Sequence, residues 1–282
     1  MPGAGGPQLE SREVIVSSQY DSAILDHYRG VAQKSGLSET STMEDRRIRE
    51  LETDFILRFV SLASRALEPK AEITIADIGC GNGFTLQTLR RANPTANLVG
   101  RDFSPDMAAL AAERFKDDAR ADVKVGDIRQ PVGKAQFDVV ISQRVIINLL
   151  SESDQSRALA NIVESVLPGG MLLFIEAFRS GLEELNEARA EFDLEPIPPA
   201  HHNLLLSDSF FDGASGIERL RDDDLPENFL STHFFVARVL HPVFLGDRQF
   251  KRNSHFVRQL SESLRPGVGN YSPLRAVAYK RV

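Results

Sequence analysis

Asp77, Gly79, Gly81 and Gly83 stand in the run Asp77-Ile78-Gly79-Cys80-Gly81-Asn82-Gly83, an acid followed by three glycines at alternate positions. Glycine lets the chain turn sharply and lets a ligand approach main-chain N–H groups, so such a run after a strand is a candidate ligand cradle. Alone, it can equally be a tight turn. A second acid, Asp102, ends Leu98-Val99-Gly100-Arg101-Asp102, some twenty residues further on, where a strand-end carboxylate can accept both hydroxyl hydrogens of a ribose. Proton transfer near neutral pH suits histidine. His201, His202, His233 and His241 are the candidates, with His202 favoured, and Glu176 is a second carboxylate that could serve.

These residues need elements to hold them. Helical patterns cover Tyr20 to Gln33 and Glu44 to Leu67, and in the second Ile48, Leu51, Phe55, Leu62 and Leu67 share a face that should be core. From Glu72 the pattern alternates. Ile73–Ile78, Asn97–Asp102, Val123–Val125, Phe137–Ser142 and Met171–Ala177 read as strands, and Leu86–Ala92, Pro105–Arg114 and Asp154–Val166 as helices. That alternation predicts a doubly wound, mostly parallel α/β sheet of seven strands with helices on both faces. Pro168-Gly169-Gly170 is expected to end the last of those helices. Further on, Leu182–Glu191 reads as helix, Glu195–His202 as a proline-rich connection, and Ile217–Arg221 and Ala276–Lys280 as strands. The expected organisation is a disordered tail (1–19), an N-terminal helical cap (20–70), the core (71–228), a partly helical insertion forming a lid (229–271) and a final core strand (272–282). Arg221-Asp222-Asp223-Asp224 reads as a solvated turn.

The glycine spacing separates two cofactor classes. A dinucleotide loop needs G-x-G-x-x-G, and position 84, where the third glycine would fall, is phenylalanine. The spacing found, G-x-G-x-G with an acid two residues before it, resembles that of the class I methyltransferases, which bind S-adenosylmethionine at this loop. Asp102-Phe103-Ser104-Pro105-Asp106-Met107 is similar to that family's motif after the second strand, and Gly126-Asp127-Ile128 to its adenine site. Phe137-Asp138-Val139-Val140-Ile141-Ser142 and Leu167-Pro168-Gly169-Gly170 resemble its fourth strand and the turn before its fifth. Each acid alone could be a helix cap or a surface charge; the order and spacing argue for a joint site. The resemblance spans Glu72 to Ala177 and is specific to the class, not to a substrate. It implies S-adenosylmethionine as cofactor, S-adenosylhomocysteine as product, and Asp77, Gly79, Gly81, Gly83, Asp102, Phe103, Met107, Asp127 and Ile128 as cofactor-binding residues. Gln143 is a candidate for the methionine end, and Tyr28 can close over it or simply pack its helix.

Methyl transfer from a sulfonium is an in-line displacement, so positioning supplies much of the rate and a strong base is not obligatory. A hydroxyl acceptor would be helped by a base such as His202, His233 or Glu176; Arg238 could pair with an acidic acceptor. Metal-dependent catechol-type members of the family resemble one another in an acid just after the fourth strand, where Ser142-Gln143 stands here, so no metal is expected. The Asn/Asp-Pro-Pro-aromatic run of enzymes that methylate amide or exocyclic amino nitrogens has no counterpart in Gln143-Arg144-Val145-Ile146. A small-molecule oxygen acceptor is favoured and an amine stays open, as does a non-catalytic regulator or scaffold that binds the cofactor. Ser231 to Arg238 resembles enzymes that modify sugars or polysaccharide precursors, a biosynthetic setting.

The 282 residues, 42% hydrophobic, suffice for one large α/β domain with additions. A single cysteine excludes an internal disulfide and agrees with a reducing, cytoplasmic setting. A net charge of -7 argues against broad nucleic-acid binding. The apolar runs are too short for a membrane span and the start lacks a signal-peptide pattern. Self-association as a homo-oligomer stays open.

Overall fold

A computed structural model describes residues 19–67, 70, 72–246, 248–249 and 253–282. Of the expected tail, residues 1–18 lie outside the described residues. Two helices come first, α1 (Gln19–Ser35) and α2 (Arg46–Ala66). The alternating part then runs β1 (Thr74–Ile78), α3 (Phe84–Ala92), β2 (Asn97–Asp102), α4 (Pro105–Arg114), β3 (Ala121–Val125), β4 (Phe137–Gln143), α5 (Glu152–Ser165), β5 (Val166–Ala177) and α6 (Arg179–Ala190). After it come β6 (Ile217–Leu220), α7 (Ser231–Phe235), α8 (His241–Leu245), α9 (His255–Ser263) and β7 (Leu274–Arg281). A π-helical turn, Val236–Leu240, joins α7 to α8.

The seven strands form one sheet in the order β3-β2-β1-β4-β5-β7-β6. β1 to β5 are parallel, and β7 runs antiparallel to both β5 and β6. This is the doubly wound, mostly parallel sheet the alternation predicted. The order reverses between β1 and β4, which opens a crevice at the strands' carboxyl ends. β4 and β5 are buried along nearly their whole length because helices cover both faces.

Local chemistry starts the helices that matter. Asp45 caps α2 by accepting from the N–H groups of Arg47 and Ile48 at 3.1 and 3.3 Å. Ser104 caps α4, with Pro105 at its first position. Ile48, Phe55, Ile56, Phe59, Val60 and Ala63 of α2 are buried in the main core, each large side chain contributing about 1.5–3 kcal/mol. Leu51 and Leu62, expected on that face, pack only partly buried at its margin.

One boundary departs from expectation. Pro168-Gly169-Gly170 does not end α5, which stops at Ser165; it lies inside the first half of β5. The register between β4 and β5 shifts there, between Phe137 and Val139, so the proline sits at an irregularity where a missing N–H costs no ladder bond. The turn at Arg221 to Asp224 closes locally, with the N–H of Asp224 donating to the Asp222 carboxylate at 2.8 Å. Among the described residues no helix is long and apolar enough to cross a membrane.

Candidate functional site

The glycine loop leaves β1 and crosses to β2: the N–H groups of Gly79 and Cys80 both donate to the carbonyl of Arg101, at 2.7 and 3.1 Å. Gly79 has φ +77°, and a Cβ there would sit 2.1 Å from Cγ2 of Val145. Only glycine fits that turn and that close approach. Gly83, with φ +78°, is the N-cap of α3.

Beside the loop, Asp102 ends β2. Its Oδ2 accepts from Gly81 N–H at 2.7 Å and its Oδ1 from Ser104 N–H at 2.9 Å. A carboxylate has about four lone-pair sites, so acceptor capacity remains for a ligand. Burial pushes its pKa up to about 6, against the two N–H bonds. Asp77 lies 2% exposed beneath the loop and is pushed up to about 7, first by burial and then by the charge of Asp102, with Arg49 opposing. Asp127, just past β3, accepts from the N–H and the side chain of Arg129. The same guanidinium reaches Asp21 of α1 at 2.9 and 3.2 Å and lies over the Phe103 ring, 5.3 Å from its centroid.

The far wall comes from the turn after β4. Gln143 presents an Nε2 that is buried and without a hydrogen-bond partner among the described residues. Asn148 donates to the phenol oxygen of Tyr28 and to the carbonyl of Arg144, both at 3.0 Å. Arg144 pairs with the fully buried Glu52 of α2. Arg49 donates to Thr42 at 2.6 Å, lies over the Phe84 ring and leaves its Nε without a partner. Burial, and next the charge of Arg144, lower its pKa to about 10.

Most of these groups line one cleft of about 1020 Å³, counted to its open mouth. Of the expected cofactor residues, Tyr28, Gly79, Gly81, Asp102, Phe103, Asp127, Ile128 and Gln143 line it. Asp77, Gly83 and Met107 do not: they lie under or behind the wall, Met107 fully buried against Gly81. Asp21, Arg49, Arg129, Arg144 and Asn148 line it too and were not singled out from sequence. Arg129 has a local signal, a cation two residues after Asp127; Arg49 and Glu52 have another, charges on the apolar face of α2. Asp21 has none.

The expected proton-transfer residues are elsewhere. Glu176 is fully buried behind the cleft, accepting hydrogen bonds from Ser142, Val145, Ile146 and Ile147. His233 is 3% exposed between Asp45 and Ser261, at 3.3 and 3.2 Å, and lines a second cavity with Arg238 and His241. His202 does not line the cleft either: its ring is 4.6 Å from that of His27, which in turn meets the cleft residue Tyr28 at 5.1 Å. Burial, then the neighbouring His27 and His201, lower its pKa, so it is a neutral base near pH 7. None of the described residues of the 229–271 insertion lines the cleft; it covers the start of α2 instead, because His233 and Arg238 both reach Asp45.

A family model described as a methyltransferase domain matches residues 75–170. Among curated proteins, the malonyl-[acyl-carrier protein] O-methyltransferase of Priestia megaterium is 30% identical over 117 residues, covering 41% of this chain and 40% of that protein. The trans-aconitate 2-methyltransferase of Mycobacterium tuberculosis is 33% identical over 114 residues, 40% of each chain. The chain thus spans about two fifths of the length of either relative. Among solved structures, the magnesium protoporphyrin IX methyltransferase of Synechocystis with bound S-adenosylhomocysteine aligns over 93% of this chain and 96% of that one, at 15% identity and a TM-score of 0.55. That likeness is one of fold: both have the class I methyltransferase architecture.

Proposed function

We propose, from the premise that residues 75–170 form a methyltransferase domain, that the chain moves a methyl group from S-adenosylmethionine to a small-molecule acceptor by in-line displacement. The observation that carries this reading is the joint placement of Asp102, Asp127 and the orphaned Gln143 amide around one cleft over the glycine loop. The donor set fits the cofactor: acceptors for ribose hydroxyls and an adenine amino group, apolar walls, and an unsatisfied amide donor. S-adenosylmethionine, when bound, supplies a methyl already activated on a sulfonium.

The protein's part is then to hold and exclude. Asp102 has lone pairs left for the ribose hydroxyls, and Asp127 faces the base as an acceptor shared with Arg129, with Phe103 and Ile128 packing the ring. Gln143 takes the amino-acid end. α1 closes the cleft, latched at one end by Asp21 on Arg129 and at the other by Tyr28 under Asn148. Enclosure of this kind excludes water and narrows the approach to the line of displacement. Calorimetry with S-adenosylhomocysteine tests the reading: micromolar binding that Asp102→Ala abolishes supports it, and no binding to the wild type sinks it.

The acceptor atom we favour is oxygen, in a biosynthetic setting. Gln143-Arg144-Val145-Ile146 after β4 supports this, since it lacks the run associated with amide or exocyclic amino acceptors. For a hydroxyl, the neutral imidazole of His202 is the base we assign, joined to the cleft residue Tyr28 through the His27 ring. His202→Ala should slow the single-turnover chemical step by about 10²-fold or more; an unchanged step removes His202 from the reaction.

A further inference from the structure

Glu176 touches none of the cleft's open space, yet it is the common acceptor of one turn. Its Oε1 takes hydrogen bonds from Val145 N–H at 3.0 Å, Ile146 N–H at 3.1 Å and Ser142 Oγ at 3.4 Å, and its Oε2 from Ile147 N–H at 3.3 Å. Three consecutive N–H groups converging on an anion form a nest, here filled by the protein's own side chain. An ionised carboxylate has lone pairs for all four donors, while a protonated acid or an amide would present a donor to one of them.

The turn held this way builds one end of the cleft. Gln143, Arg144, Val145, Asn148 and Leu149 all line it. Arg144 has φ +56°, a left-handed conformation that an arginine keeps only when its neighbours hold it there. Its N–H is bonded to Ile175 at 2.8 Å, one residue before Glu176 on β5. Val145 then packs against Gly79, and Asn148 reaches Tyr28. From a single buried carboxylate the contacts run to the glycine loop on one side and to α1 on the other.

We propose that Glu176 is the positioning residue for the amino-acid end of the cofactor: an ionised carboxylate around which residues 142–147 are wound, so that Gln143 and Asn148 face the ligand. The proposal rests on the methyltransferase reading above. It predicts a selective defect, because the nucleoside end is held by Asp102 and Asp127 on other strands.

The test compares two ligands by calorimetry: S-adenosylhomocysteine, which has the amino-acid end, and 5′-methylthioadenosine, which lacks it. Glu176→Gln should lower the ratio of their affinities about tenfold or more, with methylthioadenosine binding kept within about threefold. A folded variant with the wild-type ratio overturns the proposal. Should Glu176→Gln not fold, the wild-type protein answers through pH. Burial pushes the Glu176 carboxyl up to about 7, against its three N–H bonds and the charge of Arg144; among the described residues Arg144 and Tyr28 are the charged and titratable groups coupled to it. The affinity ratio should therefore fall as pH is lowered from about 8.5 to about 5.5, whereas Asp77 and Asp102 act on both ligands and cancel. A flat ratio overturns the proposal. Wild-type protein that binds neither ligand would instead refute the methyltransferase reading itself.

Discussion

Asp102→Asn should raise the stability of the ligand-free protein while stripping most of its cofactor affinity. The carboxyl of Asp102 is held at about 6, against an ordinary value of 3.8, because it is buried. The unfolded chain ionises it first, so ionisation costs the folded state about 3 kcal/mol. That cost is present in full above the folded value near 6 and fades as pH falls towards 3.8. A neutral amide escapes it. The amide keeps one acceptor, so it loses one of the two N–H bonds now made by Gly81 and Ser104, at about 1–2 kcal/mol. The difference leaves the variant about 1–2 kcal/mol more stable near neutral pH, a rise in Tm of about 2–5 °C. On the ligand side, an amide replaces the anion that accepts the ribose hydroxyls, a loss of about 2–3 kcal/mol or roughly fiftyfold in Kd. Thermal melts without ligand and calorimetry with S-adenosylhomocysteine read both quantities. With 5′-methylthioadenosine, whose binding does not draw on Glu176, the wild type should also lose affinity as pH falls through about 6, and the variant should lose less. A variant that melts lower and binds within about threefold of wild type would refute the reasoning, since Asp102 would then be a structural acid.

Gly79→Ala brings a Cβ to 2.1 Å from Val145 at a φ of +77°, so denaturant melts should show a loss of about 2–4 kcal/mol, partly restored by adding Val145→Ala; an undisturbed midpoint would count against the loop geometry. Asp21→Asn leaves Arg129 to Asp127 alone and should loosen α1, with faster amide exchange there and about 10-fold weaker S-adenosylhomocysteine binding; unchanged exchange in α1 would argue against the latch. Methyl transfer should continue in a chelator; activity lost in chelator and restored by a divalent cation would overturn the expectation of no metal.

The parallel half of the fold was legible because each strand and helix between Glu72 and Ala177 carries its own period, and the crossovers leave few ways to join them. The same regularity placed Gly79, Gly81, Asp102 and Asp127, since a strand end and its following loop are local in sequence. What was not legible depends on contacts between distant segments. Asp21 meets Arg129 across 108 positions and Asn148 meets Tyr28 across 120, pairs that no local spacing announces. Its position near the end of the fifth strand makes Glu176 a candidate base in the sequence, yet the turn after β4 folds over it and consumes its oxygens. His233 was drawn towards catalysis by its residue type alone, and the α2 cap Asp45 claims it instead. The burial of Arg49 and Glu52 among Ile48, Phe55 and Ile56 does break the apolar pattern of α2. That break was a readable sign of a site.

The place of β7 between β5 and β6 bears on how the protein is made. While the chain is still emerging from the ribosome, β1 to β5 can already pair and the glycine loop, Asp102 and Asp127 can assemble, because every partner they need lies before residue 178. β6 cannot. Its sheet neighbour in the final fold is β7, so it waits for residues 274–281, and until then the outer edge of β5 stays bare. A nascent chain stalled before Leu274, or one cut there, would hold a nearly finished cofactor cleft beside an exposed apolar strand edge, the kind of surface that recruits chaperones or aggregates. The cleft and the closure of this edge are thus set by different parts of the chain, the first by β1 to β5 and the second by β7.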